Sequence, residues 1–325
     1  TLTLVLPTSA PPTRASVTRF GSRFPGFFLL FFDGKANSTG ATGDYTPRNS
    51  MSLANVAYLS QYTWANSVLT SLEAQALVPM FGDVPLELGV GKKPDEIYQR
   101  LQDDPRYQTL FEAAFPSAPG PITTSHVVDA LASFERALIS GNSAYDRYSF
   151  RGDEGALSPS ARRGLKLFNS ERLECYHCHA GTTFTTSFFA AGSTARPQDF
   201  QNTGLYSLDD EGAYPPGNTG LHALTGKLGD MGKFRVPSLR NVAVTGPYFH
   251  DGSAATLGEV IDIYAQGGRN VTTGSSVGDG RKNPFKSPLV RPFELSAAER
   301  EDVIAFLESL TDEVFLNDPS LGNPW

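Results

Sequence analysis

Only two of the 325 residues are cysteine, so no disulfide framework holds this chain together. Long apolar runs are also missing. The aromatic stretch Phe27 to Phe32 falls far short of the roughly 20 apolar residues a membrane-spanning helix needs, so no membrane span is expected. Basic residues are outnumbered, 27 Lys and Arg against 34 Asp and Glu. A net charge of −7 without a basic cluster argues against a nucleic-acid partner. The chain opens on Thr1, with no basic stretch leading into an apolar run, and reads as one whose export signal has been removed.

What is present describes a globular protein. Apolar residues make up 40% and charged residues 19%, and 325 residues leave room for two domains with cores of their own. The 31 glycines and 23 prolines point to short helices joined by structured loops.

Both cysteines lie in one string, Cys175-Tyr176-His177-Cys178-His179. Two cysteines separated by two residues, with histidine directly after, is the attachment sequence of a c-type haem. On one helical turn the two thiols reach the two vinyl groups of a porphyrin, and the next imidazole sits beneath the iron. Zinc would require further sulfur or nitrogen ligands at similar spacing, and no other cysteine exists. A redox dithiol would require a βαβ setting, which the pattern does not show. Covalent haem places the protein outside the bacterial cytoplasm, in the periplasm.

Periodicity predicts a mainly α protein. A helical pattern starts at Leu53 and runs toward Trp64, and a short helix from Ser71 is stopped by Pro79. Further helices are expected over Lys93 to Leu101 and Arg106 to Phe115. Thr124 to Ser140 should form another, capped by Thr124 or Ser125, with an apolar face of Val127, Val128, Leu131, Phe134, Leu138 and Ile139, and closed by Gly141. The polar, glycine-bearing stretch 142–155 reads as a domain boundary. Beyond it, Ser158-Pro159 starts a helix, Leu257 to Tyr264 is helical, and Ser296 to Glu299 is a capping box for the last one. This gives an unassigned segment 1–32, a first domain 33–150 and a second domain 151–325.

Several strings, in order, resemble the di-haem cytochrome c peroxidases and MauG-like enzymes: Thr46-Pro47-Arg48-Asn49-Ser50, Leu53 to Tyr58, the CxxCH, Phe234 to Asn241, and Pro247 to Ser253. Within that family, Thr63 to Asn66 and Gln75 to Gly82 are most similar to the MbnH subgroup, whose members oxidise a tryptophan of a partner protein. The resemblance implies two cytochrome c-like domains packed around a haem interface. It also implies a first CxxCH shortly upstream of Asp33, yet residues 1–32 hold no cysteine or histidine. Either the first haem is lost, or residues 1–32 do not represent the natural sequence there.

The same resemblance assigns roles. Tyr264, seventeen residues after Pro247, matches the ligand facing His179 across the haem, where the peroxidases carry methionine; Met231 lies outside the matching position. Trp64 matches the electron relay between the haems, and Glu87 an acid in the distal pocket of the first. Asn49, with the carbonyls of Thr245 and Pro247, matches an inter-domain calcium site. Alternative readings are ordinary: Trp64 and Tyr264 as core aromatics, Glu87 as a solvated carboxylate, Asn49 as a helix cap. Arg235 and Arg240 are placed to bind haem propionates. His250 reads as a structural histidine held by hydrogen bonds, His177 as solvent-facing, and His126 and His222 as without a role. The function implied is peroxide-dependent oxidation of a tryptophan in a partner protein. The alternatives are a di-haem peroxidase reducing hydrogen peroxide and a mono-haem electron-transfer protein.

Overall fold

The computed structural model describes residues 33–189 and 200–322; the unassigned segment 1–32 lies outside them. The protein is mainly α, as the periodicity predicts. Strand among the described residues is limited to two short antiparallel ribbons, β1 (Phe200–Gln201) with β2 (Phe234–Arg235) and β3 (Asn270–Val271) with β4 (Gly278–Asp279).

The first half of the chain contributes α1 (Leu72–Phe81), α2 (Pro94–Asp103), α3 (Pro105–Ala114) and α4 (Thr124–Ala137). Prolines open α2 and α3, where a missing backbone N–H costs nothing, and Ser71 and Asp104 cap α1 and α3. These helices close over a core of Met80, Leu101, Tyr107, Phe111 and Val127. Two expectations are corrected here. Pro79 does not stop α1, which runs on to Phe81, because the lost bond falls in a turn that is already ending. The helical pattern from Leu53 to Trp64 yields only a 3₁₀ turn at Val56–Tyr58: Asn55 enters it with φ 59°, and Leu59 leaves extended to bridge Phe188.

The helix at α4 is also framed differently. Its cap is Thr123, and His126 completes a capping box, a role the sequence did not suggest. The helix ends at Ala137, well before Gly141, because Asn55 captures the next turn. Asn55 Nδ2 donates to Ser140 O (2.8 Å) and Ser140 N donates to Asn55 Oδ1 (3.0 Å). Ile139, expected on the apolar face, is therefore 45% exposed.

The stretch 142–155 is no loose connector. It contains α5 (Ala144–Arg151), held by a Ser143/Asp146 capping box and closed by Gly152 at φ 71°. The second half adds α6 (Pro159–Phe168), α7 (His222–Thr225), α8 (Leu257–Ala265), α9 (Ala297–Glu308) and α10 (Glu313–Leu316). Ser158 and Ser296 cap α6 and α9 as the sequence predicts. Those two helices pack backbone to backbone at Gly164, where a Cβ would lie 1.8 Å from Asp302 O. Phe168, Phe184, Phe306 and Leu310 fill the core beside them.

Residues 48–64 tie the two halves together. Arg48 Nε donates to Asn218 Oδ1 (2.9 Å), Asn49 N to His250 O (2.8 Å), Ser60 N to Ser187 O (2.8 Å), and Arg235 N to Trp64 O (2.7 Å).

Candidate haem site

Cys175–His177 form a 3₁₀ turn, and His179 N donates back to Cys175 O (2.9 Å), so both thiols and the imidazole come from one compact coil of backbone. All three residues line a cavity of about 240 Å³ whose wall is mostly apolar. Burial pushes the Cys175 thiol up to about 12 and raises that of Cys178 as well. Protonated, buried thiols are the opposite of a reactive redox dithiol, which requires a depressed pKa. No cluster of three or more His, Cys, Asp or Glu side chains able to hold a metal ion exists among the described residues, which leaves zinc without a ligand set.

His179 has the disposition of a haem ligand. Its Nδ1 lies 2.9 Å from the Phe184 carbonyl, and donation there sets the tautomer with the lone pair on Nε2, the form that binds metal. Burial lowers its pKa, against the pull of the Phe184 and Pro237 carbonyls, so the ring is neutral and ready to ligate.

Tyr264, on α8, lines the same cavity. Burial raises its pKa, and the two nearby thiols push it further up, so the phenol keeps its proton until a cation offsets that cost. Met231 does not line the cavity; its side chain packs against the cluster of Ala65, Leu205, Tyr214 and Phe234, and its carbonyl accepts from Asn202 Nδ2 (2.8 Å). A small apolar chamber with two thiols, a neutral imidazole and a phenol on its wall fits a c-type haem.

The remaining residues divide. Trp64 lines the cavity, its Nε1 donating to Asn49 O (2.7 Å) and its ring edge-on to His250 at 6.4 Å. Arg235 lines it too, buried, with Nη2 3.1 Å from Met51 Sδ and Nε donating to Thr63 O (3.3 Å). Arg240 does not, and its expected propionate role is corrected. The guanidinium is committed to Asp146 Oδ2 (2.5 Å) and the Thr182 carbonyl, sealed in the core beneath Tyr145 and Phe184. Glu87 is likewise not on this wall. It sits half-buried in the loop after α1, its backbone carbonyl taken by Ala41 N, and burial raises its carboxyl pKa.

Asn49, Thr245 and Pro247 lie on one wall of the cavity. Asn49 Nδ2 stands 2.5 Å from Pro247 O, shorter than an ordinary N–H···O bond, and Asn49 Oδ1 is buried without a partner among the described residues. Thr245 lies beside them on the cavity wall.

Two wall residues carried no such signal. His250 is buried, stacked on Phe234 with ring centres 3.5 Å apart, and its Nε2 has no partner among the described residues. Its carbonyl accepts from Asn49 N (2.8 Å), and burial drives the ring pKa down to about 4. Met51 lines the wall through a position that no motif marks.

Comparison with known proteins bears on this arrangement directly. A family model described as di-haem cytochrome c peroxidase matches residues 28–155. The methylamine utilization protein MauG of Methylorubrum extorquens is 34% identical over 288 residues, covering 88% of this chain and 70% of its own. The chain belongs to the di-haem cytochrome c peroxidase family. The cytochrome-c peroxidase IdrP1 of Pseudomonas sp. strain SCT is 33% identical over 305 residues, 89% of this chain and 75% of that one. The crystal structure of a MauG-like protein associated with microbial copper homeostasis matches with a TM-score of 0.86 and 44% identity, covering 90% of this chain and 83% of the other. The fold is thus that of two cytochrome c-like domains, the cofactor class is haem c, and the protein is a haem-dependent oxidoreductase of peroxidase type.

Proposed function

We propose that the protein is a periplasmic enzyme of MauG/MbnH type, which uses hydrogen peroxide to oxidise a tryptophan of a partner protein. The observation that carries this reading is Tyr264 on the wall of the cavity that holds His179, with Met231 elsewhere. Phenolate oxygen stabilises ferric and more oxidised iron, whereas thioether sulfur raises the potential and suits a carrier that is readily reduced. The 44% identity to a MauG-like protein supports the same direction. When bound, haem c supplies the redox chemistry; the chain holds and tunes it. Cys175 and Cys178 would anchor the group, His179 and Tyr264 would ligate its iron, Arg235 would supply positive charge at the wall, and Trp64 joins this cavity to the Asn49 loop. Asn49, Thr245 and Pro247 hold a calcium ion that fixes that loop. Glu87, whose carboxyl pKa burial raises, would be the acid beside the first haem that the family resemblance implies.

Haem content and product analysis test the proposal. Pyridine haemochrome and intact mass on natural-source protein are expected to give two covalent haems per chain, and peroxide should add oxygen to a tryptophan of a co-purified partner. Two haems with peroxide turnover but no partner oxidation would leave an ordinary di-haem peroxidase. One six-coordinate haem without turnover would leave an electron carrier.

A further inference from the structure

Glu174 immediately precedes the first haem cysteine and lines the cavity. Its backbone lies at φ 54°, in the left-handed region that residues with side chains seldom occupy. Only 8% of its side chain is exposed. One carboxylate oxygen, Oε1, accepts from Arg291 Nη2, while Oε2 is buried without a hydrogen-bond partner among the described residues. Arg291, by contrast, is 67% exposed. The pair therefore has a dry negative end at the cavity and a wet positive end at the surface. Water screens the arginine far more than it screens the carboxylate, so the cavity feels a net negative charge.

A buried charged oxygen without a donor is costly, and so is the left-handed backbone that places it there. The left-handed entry belongs to the turn itself, since His177 N donates to Glu174 O (3.2 Å), but the turn does not require a buried carboxylate. The cost is explained if the charge acts on what the cavity holds.

We propose that Glu174 is a positioning charge that sets the redox balance of the haem attached at Cys175 and Cys178. One-electron reduction removes a unit of positive charge from iron, so a fixed anion at the cavity edge favours the oxidised state. Arg291 is its partial counter-charge. The inference rests on the covalent haem of the preceding section and deepens it: Tyr264 and Glu174 press in the same direction, both keeping this haem oxidised.

The test is a potentiometric titration of the haem-loaded protein, after covalent haem has been confirmed by pyridine haemochrome. Glu174→Gln keeps the shape and removes the charge. It should move the ferric–ferrous equilibrium about tenfold toward ferrous, roughly +59 mV for a one-electron couple. Arg291→Gln leaves Glu174 without its counter-charge and should move the potential the opposite way. Opposite signs support an electrostatic role, because a merely structural disturbance would not reverse between the two. Unchanged potentials, or shifts of the same sign, overturn the inference alone. Absence of covalent haem from the wild-type protein overturns the haem reading and this inference with it. If Glu174→Gln does not load haem, Arg291→Gln decides the matter: its potential must fall.

Discussion

On the proposed reading, Tyr264 is the side chain of the cavity wall that would most favour oxidised iron. Tyr264 is held as a neutral phenol by burial and by the thiols of Cys175 and Cys178. Ligation exchanges its proton for iron. Tyr264→Phe should therefore change the ferric absorption spectrum and raise the reduction potential, since the anionic oxygen is gone. A variant with the wild-type spectrum and potential would remove Tyr264 from the ligand set. Legibility at this scale follows contiguity. Cys175, Cys178 and His179 are readable because their chemistry sits in five consecutive residues, whereas Tyr264 is reached only through the family resemblance, which places a ligand seventeen residues after the proline. Met51 and His250 reach the wall only through tertiary packing, which no local pattern encodes. Arg240 shows the converse: a cation in a promising string spends its charge on Asp146, 94 residues away, a partner that only the fold supplies.

Among the elements, some helix starts were legible. Ser158 with Pro159 at α6, and Ser296 at α9, act within a few residues of themselves, so sequence shows them. The end of α4 depends on Asn55, far upstream, and could not be read from the helix. The same helix carries an unexpected acid. Glu135 is buried near its end, one carboxylate oxygen without a partner among the described residues, and its pKa is raised to about 7. Burial is the main cause, Glu73 adds to it, and Arg136 opposes both. The raised value means that the folded protein binds this proton more tightly than the unfolded chain. Glu135 therefore contributes nothing adverse below the ordinary carboxylate range of about 4.5, and it destabilises the fold increasingly as pH rises toward 7. Glu135→Gln should be more stable than wild type at pH 8, by on the order of 1–3 kcal/mol, and nearly equal to it at pH 4.5. Denaturant midpoints at the two pH values check this; an equal difference at both would sink it.

At the scale of the whole molecule, the Asn49 contact with Pro247 brings together residues 198 positions apart, close against Trp64 and the cavity. Calcium at Asn49, Thr245 and Pro247 would fasten that contact. Removing it with EGTA should lower the thermal midpoint and slow electron transfer to the haem, and both should return on adding Ca²⁺ but not Mg²⁺. Metal analysis finding no calcium before chelation would exclude the site. The mainly α class was visible in the sequence, because helical period is a local signal. The way residues 48–64 close the cavity was not. They carry little period and owe their shape to partners such as Ser187, Asn218, Arg235 and His250.

That closure bears on the order of manufacture. Residues 48–64 come early in the chain, but the second-half partners that fix them lie 127 to 201 residues later. Bridging such separations carries a loop-closure cost that only late, cooperative folding repays. Until the C-terminal half is complete, the Trp64 side of the chamber has nothing to lean on and stands open. The CxxCH turn closes with bonds of its own and is competent before the wall arrives. The topology thus separates two events: the haem-attachment turn can form on local bonds alone, whereas the wall that residues 48–64 contribute waits on distant partners.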